Sequence, residues 1–274
     1  TIASLRLLLQ SEQTHDPRGF LDPSGVLGQG LMDHVSCCRF FSVPSLTGRK
    51  PMQAHDPMSV LSGAGSFFLP FGNDPAHCNG RSFLRGYGIW GAINRFDPPW
   101  WLKRQPDQRL GFLIGHGEVL ASETNRVTLS NRCDPLGVPM PSISCRWGAN
   151  EKAMVTHMQS TIADCIGAAG GTPASLPDLL HLPLVEPVIR GAMAVQEDAP
   201  PPGYYIHEVG GAPMGMREDT SVVDRHNRLW RCRNVLVVDG ACWPSSGWQS
   251  PTLTMMAITR RACQHALSPG SDCG

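Results

Sequence analysis

The residues best suited to hold an electron-rich ligand lie in two short segments near the carboxyl end: Asp239 with Gly240, and Ser250, Pro251 and Thr252. Ser250 is a residue type that caps helices, and the missing N–H of Pro251 costs nothing in a first helical turn. A helix that begins there offers free backbone N–H groups and a positive dipole end to an anion or an electron-rich heterocycle. The alternative is that Ser250 is only a cap and Asp239 only a turn residue.

Two elements must position these residues. The unbroken apolar run at residues 235–238 predicts a strand buried on both faces of a parallel sheet, which Asp239 and Gly240 would end. From Met255 onward, apolar residues recur on one side of a helical wheel, with Arg260 and Arg261 on the other side. A buried strand followed by a helix whose N-terminus faces the same crevice is the ligand-binding arrangement of open α/β sheets.

Three ordered blocks of sequence carry a resemblance to a known family. They are HEVGGAPMG from His207, SVVDRHNRLW from Ser221 and NVLVVDGACWPSSGWQSPTLTMMAITRRA from Asn234. They resemble, in order and spacing, the C-terminal signature of the glucose-methanol-choline (GMC) family of flavin-dependent oxidoreductases. That signature comprises H-x-x-G-T-x-x-M-G, a strand ending V-D-[GA]-[SA], and N-P-T-x-T at a helix start. The resemblance extends over nearly all 274 residues.

The resemblance implies catalytic roles for two residues. Oxidation of an alcohol by a flavin needs a base for the hydroxyl proton while hydride leaves the carbon, and histidine suits that role. His207 matches the family's catalytic histidine. Ser250 stands where the family has Asn or His, and it can donate a hydrogen bond but cannot act as a base as His can. The second role therefore falls to Ser250 alone, to Ser250 with Gln249, or to another group.

The resemblance also implies the cofactor, FAD. Thr252 and the first N–H groups of the helix opened by Pro251 are expected near flavin N1 and C2=O, where the reduced ring gathers negative charge. Asp239 and Gly240 are expected at its ribityl and phosphate side. The expected substrate is a small alcohol or sugar-like molecule. The electron acceptor, oxygen or another, and the oligomeric state stay open, and no metal site is expected.

No G-x-G-x-x-G stands between a first strand and a helix, as a dinucleotide-binding unit requires; the one literal match, GYGIWG at residues 86–91, falls in a run predicted as a strand. Residues 25–34, GVLGQGLMDH, are similar to the family's G-x-G-R-x-L-x-D-H segment, but Asp33 stands where the third glycine would fall. We expect a turn and a helix start there. The chain is therefore expected to hold the second part of the family's architecture, as a fragment or a partial reading frame. The alternative is a non-catalytic remnant, inactive alone or needing a partner chain.

The fold class implied is α/β (mixed α+β), with a partial FAD-binding, Rossmann-like domain and a substrate domain built on an antiparallel sheet flanked by helices. Residues 1–34 are expected in the FAD-binding domain, 35–203 in the substrate domain, and 204–274 in a return to the FAD-binding domain with the catalytic residues. Short apolar runs between turn residues predict strands, at residues 39–43, 82–84, 87–91, 111–115, 126–129 and 142–147.

Helices are predicted at two places before the C-terminal one. Ser4 is a possible cap before a leucine-rich helix at the start of the chain. A second helix from Asn150 is expected to bury one apolar face, formed by Met154, Met158, Ile162 and Ile166. Residues 172–202 are proline-rich with little periodicity, and we expect an extended return path there.

Composition limits the partners. The 23 Lys and Arg residues balance the 23 Asp and Glu residues, so no net field attracts nucleic acid or an acidic membrane. No apolar stretch reaches the ~18 residues of a membrane span. Ten scattered cysteines without C-x-x-C pairs favour free thiols in a reducing compartment, and we expect a cytoplasmic protein. A hydrolase G-x-S-x-G and a zinc-enzyme H-E-x-x-H are both missing from the sequence.

Overall fold

The computed structural model describes residues 1–15, 21–44, 66–71, 81–93, 98–105 and 108–268. The described residues form two compact units. The first unit takes its residues from Thr1–His34, Glu118–Trp147 and Pro201–Gly274, and the second unit from Val35–Gly117 and Gly148–Pro200. The functional roles expected for residues 1–34, 35–203 and 204–274 stay predictions.

The elements are named in chain order. The helices are α1 (Ile2–His15), α2 (Ala149–Ala168), α3 (Leu176–Leu179), α4 (Glu186–Asp198) and α5 (Thr252–Leu267). The strands are β1 (Val35–Pro44), β2 (Ser66–Phe71), β3 (Tyr87–Ile93), β4 (Gln108–Gly117), β5 (Arg126–Cys133), β6 (Pro139–Ser144), β7 (Thr172–Ala174), β8 (Met214–Gly215) and β9 (Val223–Asp224). Turns of 3₁₀ helix lie at Trp100–Leu102 and Gly240–Cys242.

The second unit is built on an antiparallel sheet with the strand order β2-β3-β4-β1-β7. The long central pair runs from Val35 opposite Gly117 to Pro44 opposite Gln108. The apolar runs at residues 39–43, 87–91 and 111–115 lie in β1, β3 and β4, as predicted. The predicted mixed α/β fold with an antiparallel sheet and flanking helices is confirmed.

Helix α2 covers this sheet with the predicted face, because Met154, Met158, Ile162 and Ile166 are all buried. The sheet makes room for the two methionines with glycines on β4. A Cβ added at Gly115 would lie 2.6 Å from Met158 Sδ, which no packed structure tolerates without movement. At its start, α2 is capped by Glu151, whose carboxylate accepts the N–H of Gly148 at 2.9 Å.

Two predictions for the second unit are wrong. Residues 172–202 are not an extended path, since they contain β7, α3 and α4. Two of the prolines there, Pro177 and Pro187, each occupy a first helical turn, where the missing N–H has no partner to lose. Residues 82–84 form no strand; the N–H of Leu84 instead donates to Asn150 Oδ1 at 2.7 Å.

The first unit combines α1, α5, the β5–β6 hairpin and the short parallel pair of β8 and β9. Helix α1 is joined to the hairpin by Arg6, which donates to Asp134 Oδ2 at 2.7 Å and to the carbonyl oxygen of Pro139 at 2.7 Å. Ser4 is not a cap, because α1 begins at Ile2 and the Ser4 hydroxyl donates to Asp239. Across the described part of the chain, the helices fall short of the length and apolar character that crossing a bilayer requires.

The parallel strand predicted at residues 235–238 is also wrong for the described residues. Leu236 forms an isolated antiparallel bridge with Arg228, and Val237 N–H donates to the carbonyl oxygen of Asn227 at 2.9 Å. Val235 is 37% exposed. An apolar run forms a strand only where neighbouring strands satisfy its N–H and C=O groups, and within the described residues this segment pairs on one side through a single bridge.

Candidate active site

His207 lies in a loop whose backbone is held in uncommon conformations. Ile206 has φ +52°, and Gly210 and Gly211 have φ +89° and +98°. A β-branched residue rarely adopts a positive φ, so the loop needs support from its surroundings. His207 Nδ1 is buried and has no hydrogen-bond partner among the described residues. An imidazole nitrogen in that position is a candidate contact for a group from outside the chain.

The segment around residues 25–34 supports this loop. The N–H of Gly28 donates to the carbonyl oxygen of Gly211 at 2.6 Å, and Met32 and Val209 exchange backbone hydrogen bonds of 2.8 and 2.9 Å. The helix start predicted within residues 25–34 is wrong. The backbone donors that a helix would use are bound to the His207 loop instead, so only the predicted turn is present.

Asp239 begins the 3₁₀ turn at Gly240–Cys242. Its Oδ1 accepts the N–H of Ala241 at 2.9 Å, while Oδ2 accepts from the Ser4 hydroxyl at 2.7 Å. Burial acts to raise the pKa of the carboxyl, and the hydrogen bonds from Ser4 and Ala241 act to lower it. Through these hydrogen bonds Asp239 fixes the turn.

Two backbone hydrogen bonds join this turn to the His207 loop. Gly210 N–H donates to the carbonyl oxygen of Gly240 at 2.8 Å, and Ala212 N–H donates to that of Ala241 at 2.8 Å. A Cβ at Gly240 would lie 2.7 Å from Met255 Cε and 2.9 Å from the carbonyl oxygen of Glu208. Only glycine fits there, because the loop, the turn and α5 close on the same point.

Helix α5 begins at Thr252 with Pro251 as its N-cap and no side-chain cap. The cap predicted at Ser250 is therefore wrong; Ser250 and Thr252 are both exposed. Within the described part of the chain no side-chain cap holds the first N–H groups, so they are open to a ligand. Thr259 Oγ1 donates to the carbonyl oxygen of Val238 at 3.1 Å, which places α5 against the segment that leads into Asp239.

The predicted buried face of α5 is correct only in part. Ala262 is buried and Met255, Ile258 and Thr259 are half-buried, but Met256 and Leu267 are 65% and 85% exposed. Arg260 and Arg261 are exposed, as predicted. Periodicity alone thus identified the side of the helix that meets the turn, and overestimated how much of it is covered.

The structure brings five of the six predicted site residues onto connected elements: His207 on the loop, Asp239 and Gly240 on the turn, and Pro251 and Thr252 at the start of α5. Ser250 precedes α5, and among the described residues no hydrogen bond joins it to His207. Sequence reasoning missed Asp33, which is buried and accepts the N–H of His207 at 3.3 Å. Its only signal was its place in the D-H pair of the family-like segment at residues 25–34.

A stacked pair of imidazoles, His226 in the turn after β9 and His265 on α5, predicts a pH dependence of stability. The rings of His226 and His265 lie 3.5 Å apart at 15°. Burial, together with His265, Arg225 and Arg261, lowers the pKa of His226, and Asp224 opposes them. The folded state therefore favours neutral His226, so the stabilisation is present above the unfolded pKa of about 6.5 and is lost as pH falls below it.

We expect the melting temperature to fall less between about pH 8 and about pH 5 in His226→Gln than in the unmodified protein. Glutamine keeps an acceptor for the Nε–H of Arg225, which donates to His226 at 2.9 Å, and removes the titration. The matched control is His181→Gln, an exposed histidine of the second unit. An identical pH slope in both variants and the unmodified protein would refute the assignment.

Comparison with known proteins identifies the family. A family model described as GMC oxidoreductase matches residues 121–259, just over half of the chain. A 2-methyl-1,2-propanediol dehydrogenase from Mycolicibacterium austroafricanum is 27% identical over 284 aligned positions, which cover 99% of this chain and 47% of that protein. The fructose dehydrogenase large subunit of Gluconobacter japonicus is 24% identical over 97% of this chain and 46% of its own length.

Among solved structures, a formate oxidase from Aspergillus oryzae shares the fold with a TM-score of 0.50 and 18% identity, over 88% of this chain and 47% of that one. The chain spans about half the length of the curated relatives it matches. The family match includes the His207 loop, the Asp239 turn and the start of α5. The chain belongs to the GMC oxidoreductase family.

Proposed function

We propose that this protein is an FAD-dependent oxidoreductase that oxidises the CH–OH group of an alcohol or sugar-like donor. The observation that carries the proposal is the meeting of three motif segments at Gly240. There the loop of His207 bonds to the turn through Gly210, and α5 packs on the turn through Met255. The His207 loop and the turn are separated by residues 213–238, and a shared ligand would give them a common role at the start of α5.

The residues present fit the cofactor. The uncapped start of α5, with Thr252 exposed, offers N–H groups and a positive dipole to an electron-rich ring. The turn at Asp239 and Gly240 is rigid, as a cofactor support must be. His207 Nδ1, buried and unpartnered among the described residues, leaves this side chain poised for an external group. When bound, FAD supplies the hydride acceptor that no amino-acid side chain provides.

In this proposal His207 accepts the hydroxyl proton of the donor. Proton removal raises the electron density on the carbinol oxygen and so assists departure of hydride from the adjacent carbon. Ser250 has no proton-accepting capacity near neutral pH, so its contribution is limited to a hydrogen bond to the substrate oxygen. The relatives named for 2-methyl-1,2-propanediol and fructose support a CH–OH donor, since both compounds carry oxidisable hydroxyl groups.

The test is anaerobic reduction of the flavin. We expect the purified protein to bind added FAD and the oxidised flavin's visible absorption to bleach when a vicinal diol or fructose is added. The matched control is 2-methyl-2-propanol, a tertiary alcohol with no hydrogen on its carbinol carbon, which should leave the absorption unchanged. Bound flavin that no primary or secondary alcohol reduces would contradict the proposal.

The alternative, a non-catalytic chain that is inactive alone or needs a partner, is favoured by the 46–47% coverage of the relatives. It predicts that the 274-residue chain folds but neither binds FAD nor gains alcohol-dependent bleaching. Circular dichroism and an FAD titration on this chain, beside the same measurements on the longest reading frame that contains it, distinguish the two functions.

A further inference from the structure

We propose that Asp33 is a positioning residue for His207. The proposal rests on the proposed function, because that function makes His207 the base. Asp33 is 2% exposed, and both of its carboxylate oxygens face the loop that carries His207. Oδ1 accepts the N–H of His207 at 3.3 Å, and Oδ2 accepts the N–H of Gly203 at 2.8 Å.

The two hydrogen bonds hold both ends of the segment 203–207, the part of the loop that leads into His207. Between them lies Ile206, a β-branched residue at φ +52°, and Gly203 itself has φ +88°. A left-handed conformation is unfavourable for a residue with a Cβ, so the free loop would relax to other conformations. A single rigid carboxylate bound to both ends removes that freedom and fixes the direction in which the imidazole of His207 leaves the backbone.

The neighbours of Asp33 contact the same loop. Met32 exchanges two backbone hydrogen bonds with Val209, and the ring of His34 lies edge-on to the ring of His207, with the centroids 5.0 Å apart and an angle of 87°. Residues 32–34 thus contact the loop at Gly203, at His207 and at Val209. Side chains held from several directions keep their rotamers, which is the condition for a base to meet its proton.

Holding a loop with a buried carboxylate has an unfavourable desolvation free energy. Burial of an ionised carboxyl is unfavourable unless hydrogen bonds compensate for the lost water. Among the described residues, Asp33 accepts hydrogen bonds from the backbone N–H groups of Gly203 and His207, and from no imidazole. Asp33 therefore acts through the backbone and not as a partner in proton transfer.

The first test is Asp33→Asn in the flavin-loaded protein. Asparagine has the same size, but one of its two terminal groups is an NH₂ that faces an N–H and cannot accept it. We expect the rate of flavin reduction at saturating alcohol to fall about 10- to 100-fold, as for a base displaced by a fraction of an ångström, with KM changed less than about threefold. If the role of Asp33 were purely structural, the variant would yield less folded protein, and the folded protein would reduce flavin at the unmodified rate.

The second readout needs no turnover. Hydrogen exchange followed by mass spectrometry should show faster exchange in the peptide that contains residues 203–209 when Asp33 is replaced. The matched control is Asp22→Asn. Asp22 is another buried aspartate of the first unit, 5% exposed, whose carboxylate accepts backbone N–H groups of Ser24 and Leu27 at 3.1 and 2.7 Å. It should destabilise its own turn and leave residues 203–209 and the rate of flavin reduction unchanged.

The outcomes separate the two proposals. Faster exchange at residues 203–209 with slower flavin reduction in Asp33→Asn alone supports the positioning role. Unchanged exchange, or equal slowing in Asp22→Asn, overturns it. If His207→Ala retains turnover, the proposed function fails, and the exchange experiment still decides whether Asp33 holds the loop.

Discussion

Replacement of His207 by alanine is expected to slow flavin reduction by an alcohol about 10²- to 10⁴-fold while the flavin stays bound. The magnitude is the usual contribution of a general base. Flavin binding should survive, because the residues that we propose to hold the cofactor lie on the turn at Asp239 and at the start of α5. Those elements are fixed by their own contacts, such as that of Thr259 with Val238.

The measurement is the rate of anaerobic bleaching at saturating alcohol, together with the visible spectrum of the oxidised flavin in the resting protein. His181→Ala provides the control, since His181 is an exposed histidine in the second unit. Bleaching within tenfold of the unmodified rate would place the base elsewhere. A colourless His207→Ala protein would instead mean that the loop is needed for cofactor binding, contrary to the separation of roles proposed here.

Local patterns predicted the second unit well. The strands β1, β3 and β4 follow from short apolar runs between turn residues, and the buried face of α2 follows from helical period, because that helix buries one side against the sheet. The failures have local causes too. Residues 172–202 looked irregular because proline was taken as a breaker, although Pro177 and Pro187 sit where a helix tolerates proline best.

The site was predictable only in outline. His207 and Thr252 were predicted through the family resemblance, and Asp239 also through its place after an apolar run; the roles of all three stay predictions. The structure adds the contacts of the turn with the His207 loop and with α5. Asp33 was missed because its partner His207 lies 174 positions away. No period or spacing within a local window reports a hydrogen bond over that separation. The same holds for Ser4, which pairs with Asp239 instead of capping α1.

The second large effect is expected from Gly210→Ala, which should destabilise the first unit by about 2–5 kcal/mol. Gly210 has φ +89°, a conformation that is strained for alanine, and its added Cβ would overlap the carbonyl oxygen of Gly30. A backbone atom cannot rotate away as a side chain can, so the His207 loop must move. That movement would break the hydrogen bond of Gly210 to Gly240 as well.

Gly137→Ala separates strain from overlap. Gly137 has nearly the same φ, +80°, but a Cβ there meets nothing within 4 Å. The free energy of unfolding of Gly137→Ala should therefore fall only by the cost of the strain, about 1–2 kcal/mol. Urea unfolding of both variants, monitored by tryptophan fluorescence, gives the comparison, with flavin reduction as a second readout that Gly137→Ala should leave intact. Equal loss of stability in the two variants would show that the Gly30 carbonyl group moves aside at no cost. Close packing between Gly210 and Gly30 would then not be what holds the His207 loop.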